Sequence, residues 1–312
     1  MKPTSFNEYQ PSISEIVRGS GQLQAYISTL LAVTLSLIHK QEQGRTLEVS
    51  ETGAIVASIL DNARVFPLPI YETRAHDILR RAQVLPQDNP TSLPERALRV
   101  YHQISPYVQG PSVLDLGCGD GRVGEELAHE DSLDVVLADI YQHAHIGETS
   151  LRFIRVGSDG TVPDARQYDT TLLLTVLHHS DDPLKTLGQA KQRTKPGGKI
   201  VVIESVFGID KAVQEPNLDA YAQENARRFK ALSPEEQRWA NIFFDHFYNR
   251  VIHFSPDPAK KVNVPFNFST PKGWKAIFEE QGLQQERLIY LGFDQPVVPE
   301  YHTLHVLRTS SR

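Results

Sequence analysis

Residues 113–121 read Val-Leu-Asp-Leu-Gly-Cys-Gly-Asp-Gly. An apolar run carries an acidic residue, and a loop of alternating glycines then leads into the helical pattern Arg122–Glu130. Each glycine removes a Cβ where the chain must turn tightly or let a ligand approach the backbone. A strand over Ser112–Leu116 would deliver Asp115 to the carboxyl edge of a parallel sheet, the usual ligand crevice of open α/β folds. The stretch Gly119-Asp120-Gly121-Arg122-Val123-Gly124 also fits the dinucleotide fingerprint G-x-G-x-x-G. That reading runs the strand on to Cys118 and buries Asp115 inside a strand covered on both faces. A buried, unpaired carboxylate costs several kcal/mol or takes up a proton. If the strand ends near Leu116, Asp115 can instead face the crevice and hydrogen-bond a cationic ammonium group.

Downstream, short strands and helices alternate, as in a doubly wound sheet. Strands are expected at Ser112–Leu116, Asp134–Asp139, Arg152–Val156, Thr170–Leu177 and Lys199–Glu204, then at Glu286–Leu291 and Tyr301–Leu307. Helices are expected at Gly121–Glu130 and Pro183–Thr194. A further helix is capped by Ser269 or Thr270, has Pro271 at its first position and ends at Gly282. The expected fold is α/β, with seven strands, helices on both faces, a helical N-terminal region and a helical lid insertion.

The glycine loop resembles motif I of the class I S-adenosylmethionine-dependent methyltransferases, which have a Rossmann-like sheet. The resemblance covers about residues 110–205 by motif and 269–308 by pattern. It implies S-adenosylmethionine as cofactor, S-adenosylhomocysteine as product, and an antiparallel strand in the last pair. It assigns Asp115, Gly117, Cys118, Gly119 and Gly121 to the cofactor. Asp139 ends the second strand where the family's acidic residue grips both ribose hydroxyls, a task that suits an acceptor-only carboxylate; Ile140 follows it. Asp159 matches the acidic residue near the adenine amino group, with Ser158 and Gly160 as alternatives. Thr175 and the pair His178-His179 resemble the segment closing the fourth strand beside the methyl group. Lys195–Lys199 resembles the turn before the fifth strand, with structural glycines.

Composition narrows the partners. The chain has 312 residues, net charge −6 and a pI near 6.1, without the basic footprint of nonspecific nucleic-acid binding. Its single cysteine, Cys118, rules out an intramolecular disulfide and fits a reducing compartment. No signal-peptide pattern is seen at the start, and the apolar stretch Leu23–Ile38 is interrupted by polar residues and short for a bilayer span. A soluble cytoplasmic protein with no membrane or nucleic-acid partner is therefore expected. Residues 1–105 read as a helical cap: Gly21–Gln43 closed by Gly44, a helix capped by Ser50 through Asn62, a loop at Phe66-Pro67-Leu68-Pro69, then Thr73–Val84 and Pro94–Ile104. The alternatives for Leu23–Ile38 are packing on the core, a homodimer contact or a lid. The remainder, 106–312, reads as the cofactor-binding domain, with 206–268 inserted as a substrate lid.

The lid offers the acceptor side. Ser233-Pro234-Glu235-Glu236 is a capping box that starts a helix running to about His253. Trp239, Ile242, Phe243, Phe247 and Val251 form its apolar face. His246, Arg250 and His253 interrupt that stripe at i, i+4 and i+7. On this pattern His246 is the expected base, with His178 or His179 as rivals, although consecutive residues should point apart. Arg250 and His253 are expected to bind substrate, with Phe243, Phe244, Phe247, Tyr248 and Phe254 as stacking surfaces. No metal is expected. Seven residues of helix span about 10 Å, too far for His246 and His253 to share an ion with bonds of roughly 2 Å. Adjacent Asp245 and His246 diverge, so metal assistance would need ligands from separate elements. His302 and His305 should face opposite sides of a strand. The expected reaction is methyl transfer to O, N or C of a small aromatic or apolar acceptor. The alternatives are a cofactor-holding partner subunit without catalysis and a nicotinamide-dependent oxidoreductase.

Overall fold

A computed structural model describes residues 10–85, 92–215, 218–257, 261–262, 264–295 and 298–310. Parts of the expected N-terminal region, 1–9 and 86–91, lie outside the described residues. The strands are β1 Ser112–Leu116, β2 Asp134–Asp139, β3 Arg152–Arg155, β4 Tyr168–Leu174, β5 Thr194–Ser205, β6 Leu283–Gly292 and β7 His302–Thr309. They form one sheet in the order β3-β2-β1-β4-β5-β7-β6. The first five pair in parallel, and β7 runs antiparallel to both β5 and β6. The strand order reverses at β1, with β2 and β3 on one side and β4 and β5 on the other. This is the position where open α/β sheets bind ligands.

Side-chain alternation along the strands builds two cores. Val113, Val135, Leu137, Leu172 and Val201 face one way. They meet Val100 and Ile104 of α5 (Ser92–Ile104) and Leu127 of α6 (Arg122–Glu130). Leu114, Val136, Ala138, Leu173 and Val202 face the other way, onto α7 (Pro183–Arg193) and α10 (Pro271–Glu280). Thr270 caps α10, as one of the two expected residues, with Pro271 at its first position.

Among the described residues four helices precede this unit: α1 Ile13–Ile16, α2 Gly21–Gln43, α3 Val49–Val65 and α4 Leu68–Arg81. Two more, α8 Ala220–Ala231 and α9 Pro234–His246, occupy the stretch between β5 and α10. The two groups pack on each other: α1 and α2 lie against α9, and α2 also against α8. Tyr26 of α2 contacts both Phe229 and Phe244, at ring-centroid distances of 6.0 and 6.3 Å. The apolar face of α2 is thus used inside the chain; Leu23, Ile27, Leu30, Leu31 and Leu35 are all buried. The helix that contains Leu23–Ile38 has 23 residues and is, by length and composition only, long and apolar enough to cross a membrane.

Other local expectations shift. Ser50 lies within the first turn of α3, whose N-cap is Glu48. Leu68 and Pro69 begin α4 instead of forming a loop, since a first-turn proline gives up only an N–H that has no helical partner. Strand β4 stops at Leu174, and His178 and His179 sit on a 3₁₀ turn, Leu177–His179. The capping box at Ser233 forms as expected. Its α-helix closes at His246, and Phe247–Ile252 continues as a π-helix.

Candidate active site

The glycine loop is held open by its neighbours. Gly117, Gly119 and Gly121 all have positive φ. A Cβ on Gly117 would lie 2.5 Å from the Val176 side chain, whereas one on Gly119 would meet no atom within 4 Å. The loop thus packs tightly at one end and presents open backbone at its middle, the arrangement a bound ligand needs. Gly117 N–H donates to Ala138 O at 2.7 Å, tying the loop to β2.

Asp115 lies under this loop, 1% exposed, and neither carboxylate oxygen has a hydrogen-bond partner. Burial, with Asp139 and Asp120 nearby, pushes its pKa from 3.8 up to about 7. Ionising it therefore costs about 4 kcal/mol more than for a solvated carboxylate. A cationic partner removes that cost, so an ammonium-bearing cofactor fits this orphaned group.

Asp139 ends β2, as expected, and reaches back to the loop: Oδ2 accepts from Gly119 N–H at 2.9 Å, Oδ1 from Tyr141 N–H at 3.3 Å. A carboxylate has roughly four lone-pair sites, so these bonds leave room for further hydroxyl donors. Burial raises its pKa against the opposing backbone hydrogen bonds. Ile140 beside it is 63% exposed, an apolar surface at the mouth of the crevice. Burial, Asp115 and Asp139 push the Cys118 thiol pKa well up, so the residue is an uncharged part of the loop wall. Asp159 is exposed, and its carboxylate is engaged with its own turn, accepting from Thr161 Oγ1 at 2.7 Å and Thr161 N–H at 3.1 Å. Ser158 is exposed and Gly160 has φ +76° in the same turn.

At the end of β4 the backbone turns sharply. Thr175 has φ +60°, uncommon for a β-branched residue, and donates its N–H to Ile203 O at 2.7 Å. The turn brings Val176 against Gly117 and starts the 3₁₀ segment carrying the histidines. Glu204, buried at the end of β5, organises that segment. Oε1 accepts from Val176 and Leu177 N–H at 3.1 and 2.7 Å, and Oε2 lies 2.6 Å from His178 Nδ1. Burial opposes the His178 imidazolium, but the Glu204 charge and hydrogen bond outweigh it and hold the pKa up at about 9. The His178 and His179 rings lie 4.0 Å apart by centroid. Consecutive residues do not diverge here as they would along a strand, because the tight turn gathers both. Asp245 of α9 joins them, with Oδ1 3.6 Å from His179 Nε2. Burial, together with Glu300, pushes Asp245 up to about 8.

The lid residues are placed differently from expectation. His246 is 1% exposed, and its Nε2 lies 3.1 Å from Glu72 Oε1 of α4. It also faces Tyr71, and lines a cavity of about 220 Å³ with Ser12, Pro67 and Phe266. These partners belong to the N-terminal helices and the insertion, not to the glycine loop or the β4 turn. Arg250 Nε lies 3.3 Å from the same Glu72, and Lys261 Nζ lies 3.2 Å from its other oxygen. Arg250 thus shares the Glu72 carboxylate with Lys261 and is drawn toward the N-terminal helices. His253 leaves the stripe because the π-helix changes the angular step; it is exposed and packs edge-on to Tyr248, 4.8 Å between centroids. Phe243, Phe244 and Phe247 are at most 2% exposed. They pack on one another, so they form the core of the lid and not a stacking wall. Phe254 lies against His76, 5.0 Å between centroids. Both β7 histidines are buried; His302 Nδ1 is 2.7 Å from Asp294 and His305 Nδ1 is 2.8 Å from Gln285.

Glu204, Asp245 and Glu72 were missed as functional candidates. Glu204 carried a signal: it closes the apolar run Ile200–Ile203 as Asp139 closes Val135–Ala138. Asp245 diverges from its neighbour His246, and that divergence is what carries it to His179. Glu72 had no local signal, because its partners lie far along the chain.

A methyltransferase-domain family matches residues 89–286. A tRNA U34 carboxymethyltransferase from Chromohalobacter salexigens is 30% identical over 116 residues, 33% of this chain and 34% of that protein. The chain thus spans about a third of that relative's length. A ubiquinone biosynthesis O-methyltransferase from Cereibacter sphaeroides is 30% identical over 185 residues, 56% of this chain and 70% of that one. The crystal structure of a SAM-dependent methyltransferase from Aquifex aeolicus is 15% identical, with TM-score 0.41, and the alignment covers 75% of this chain and 97% of that one.

Proposed function

The chain belongs to the class I S-adenosylmethionine-dependent methyltransferases, and from that premise we propose that it methylates O, N or C of a small-molecule acceptor. The observation that carries the acceptor class is burial. Beyond the glycine loop the polar groups at the β4 and β5 ends are buried together with Asp245 of α9: His178 is 1% exposed, Glu204 and Asp245 0%. Groups enclosed to that degree are reached by a compact acceptor and not by a folded macromolecule. The O-methyltransferase named for ubiquinone biosynthesis supports this class, and the tRNA-modifying relative supports the rival one.

When bound, the cofactor supplies an activated methyl group whose transfer leaves a neutral sulfide. The chain's residues bind and orient. Asp115 offers its unpaired carboxylate to the cofactor's ammonium group, and Asp139 accepts from the ribose hydroxyls while bracing Gly119. Gly117, Gly121 and Thr175 shape the loop and the turn, and Ile140 covers the adenine side. His178, positioned by Glu204, and His179 stand on the acceptor side together with Asp245. The N-terminal helices and helices α8 and α9 of the insertion act together as the roof over this side. His246 is assigned to that roof.

Calorimetric titration with S-adenosylhomocysteine, followed by turnover assays on small hydroxylated aromatics and on bulk tRNA, tests the reading. Micromolar cofactor binding with turnover on small acceptors alone is the expected result. Methylation of tRNA in preference to small acceptors would replace the acceptor class, and absence of cofactor binding would overturn the whole reading.

A further inference from the structure

We propose that His178, His179 and Asp245 form a site for one divalent transition-metal ion, Zn²⁺ foremost, that binds the acceptor's oxygen. The three side chains come from the 3₁₀ turn after β4 and the last turn of α9, and a ligand atom from each lies within 4.8 Å of the other two. Zinc bonds of about 2.0–2.2 Å place the ligand atoms of a tetrahedral site about 3.4 Å apart. His179 Nε2 and Asp245 Oδ1 already stand at 3.6 Å. Small side-chain rotations close the remainder.

The surrounding groups are those a metal site requires. Glu204 lies 2.6 Å from His178 Nδ1, which leaves Nε2 as the ligand nitrogen in the carboxylate–histidine–metal pattern. Asn249 Nδ2 donates to Asp245 Oδ1 at 2.7 Å and so orients that carboxylate. Asp245 Oδ2 is buried with no hydrogen-bond partner, and an unsatisfied carboxylate oxygen inside a protein calls for a cation. Two imidazoles and one carboxylate make a three-ligand set of the catalytic type, which keeps a coordination position open. The His179 side chain, 26% exposed, marks the accessible side.

The acceptor chemistry, unlike ion binding itself, rests on the methyl-transfer reading. A metal-bound acceptor hydroxyl is acidified. It releases its proton to solvent and keeps the O–H electron pair, which forms the new C–O bond as the C–S bond breaks. The electron pair of the broken bond stays on sulfur.

The test uses the full chain stripped with a chelator. Zn²⁺ is titrated calorimetrically and Co²⁺ by its visible absorption, with S-adenosylhomocysteine affinity measured in parallel. One ion per chain is expected, with a Co²⁺ spectrum of nitrogen–oxygen coordination. His179→Ala and Asp245→Asn are each expected to weaken ion binding by at least ~10-fold while leaving S-adenosylhomocysteine affinity unchanged, which also reports that the variants are folded. No stoichiometric ion in the unsubstituted protein, or ion binding that survives both substitutions, would overturn the site. Ion binding without any S-adenosylhomocysteine binding would uphold the site and overturn the methyl-transfer chemistry built on it.

Discussion

Glu72 Oε1 lies 3.1 Å from His246 Nε2, joining side chains 174 residues apart. Arg250 and Lys261 close on the same carboxylate. This buried cluster fastens the N-terminal helices to the insertion. Burial raises the Glu72 pKa, but the His246 hydrogen bond and the neighbouring cations outweigh it and hold the group at about 2, down from 4.5. A depressed carboxylate stabilises the fold above its unfolded pKa, and that stabilisation is lost as pH falls through the folded value. Glu72→Gln should therefore lower stability at pH 7, by roughly 1–3 kcal/mol once screening is allowed for. The gap from wild type should shrink between about pH 4.5 and pH 2. Urea unfolding at several pH values measures both. His246→Ala should likewise act on stability and leave S-adenosylhomocysteine affinity intact.

Asp139 braces Gly119 and offers its remaining lone pairs to the crevice. Asp139→Ala removes both functions. Charged hydrogen bonds contribute roughly 1.5–3 kcal/mol each, so S-adenosylhomocysteine affinity should fall by at least ~10-fold, read by calorimetry, with unchanged far-ultraviolet dichroism.

Asp115 links cofactor binding to pH. Its pKa stands at about 7 without a partner, and an ammonium group binds the ionised form. Below that value binding must first expel a proton, so affinity should fall roughly tenfold per pH unit below about pH 7 and level off above it. Asp115→Asn should abolish this slope. A wild-type affinity flat from pH 5 to pH 8 would refute the pairing.

Gly117 and Gly119 separate structural from ligand roles. Gly117→Ala places a Cβ 2.5 Å from Val176 at φ +81°, so the melting temperature should drop, with a cost of roughly 1–3 kcal/mol. Gly119→Ala meets no protein atom and should weaken the cofactor more than it weakens the fold. Thermal melts with and without S-adenosylhomocysteine distinguish the two.

Much of the sheet was legible because its signals are local. Alternating strands and helices, the loop of glycines and the acidic strand ends at Asp115 and Asp139 each need only a few consecutive residues. The lid departs from its sequence pattern because a polar stripe at i, i+4 and i+7 presumes a regular α-helix. The chain leaves that geometry at Phe247, so His253 rotates away while His246 and Arg250 turn to a carboxylate on another helix. Buried phenylalanines at helical spacing look alike whether they face a ligand or a neighbouring helix; here the neighbour is α2, through Tyr26 and Phe244.

The sequence by itself determined the family, its cofactor and the form of the glycine loop, because glycine conformation and an acidic strand end are properties of a short stretch of chain. Only the tertiary structure decided which polar groups meet: Glu204 with His178, Asp245 with both histidines, Glu72 with His246 and Arg250. Such pairs depend on how separate elements pack. Desolvation makes a buried charge costly until a partner arrives, and the partner's position is set by the fold and not by its place in the chain.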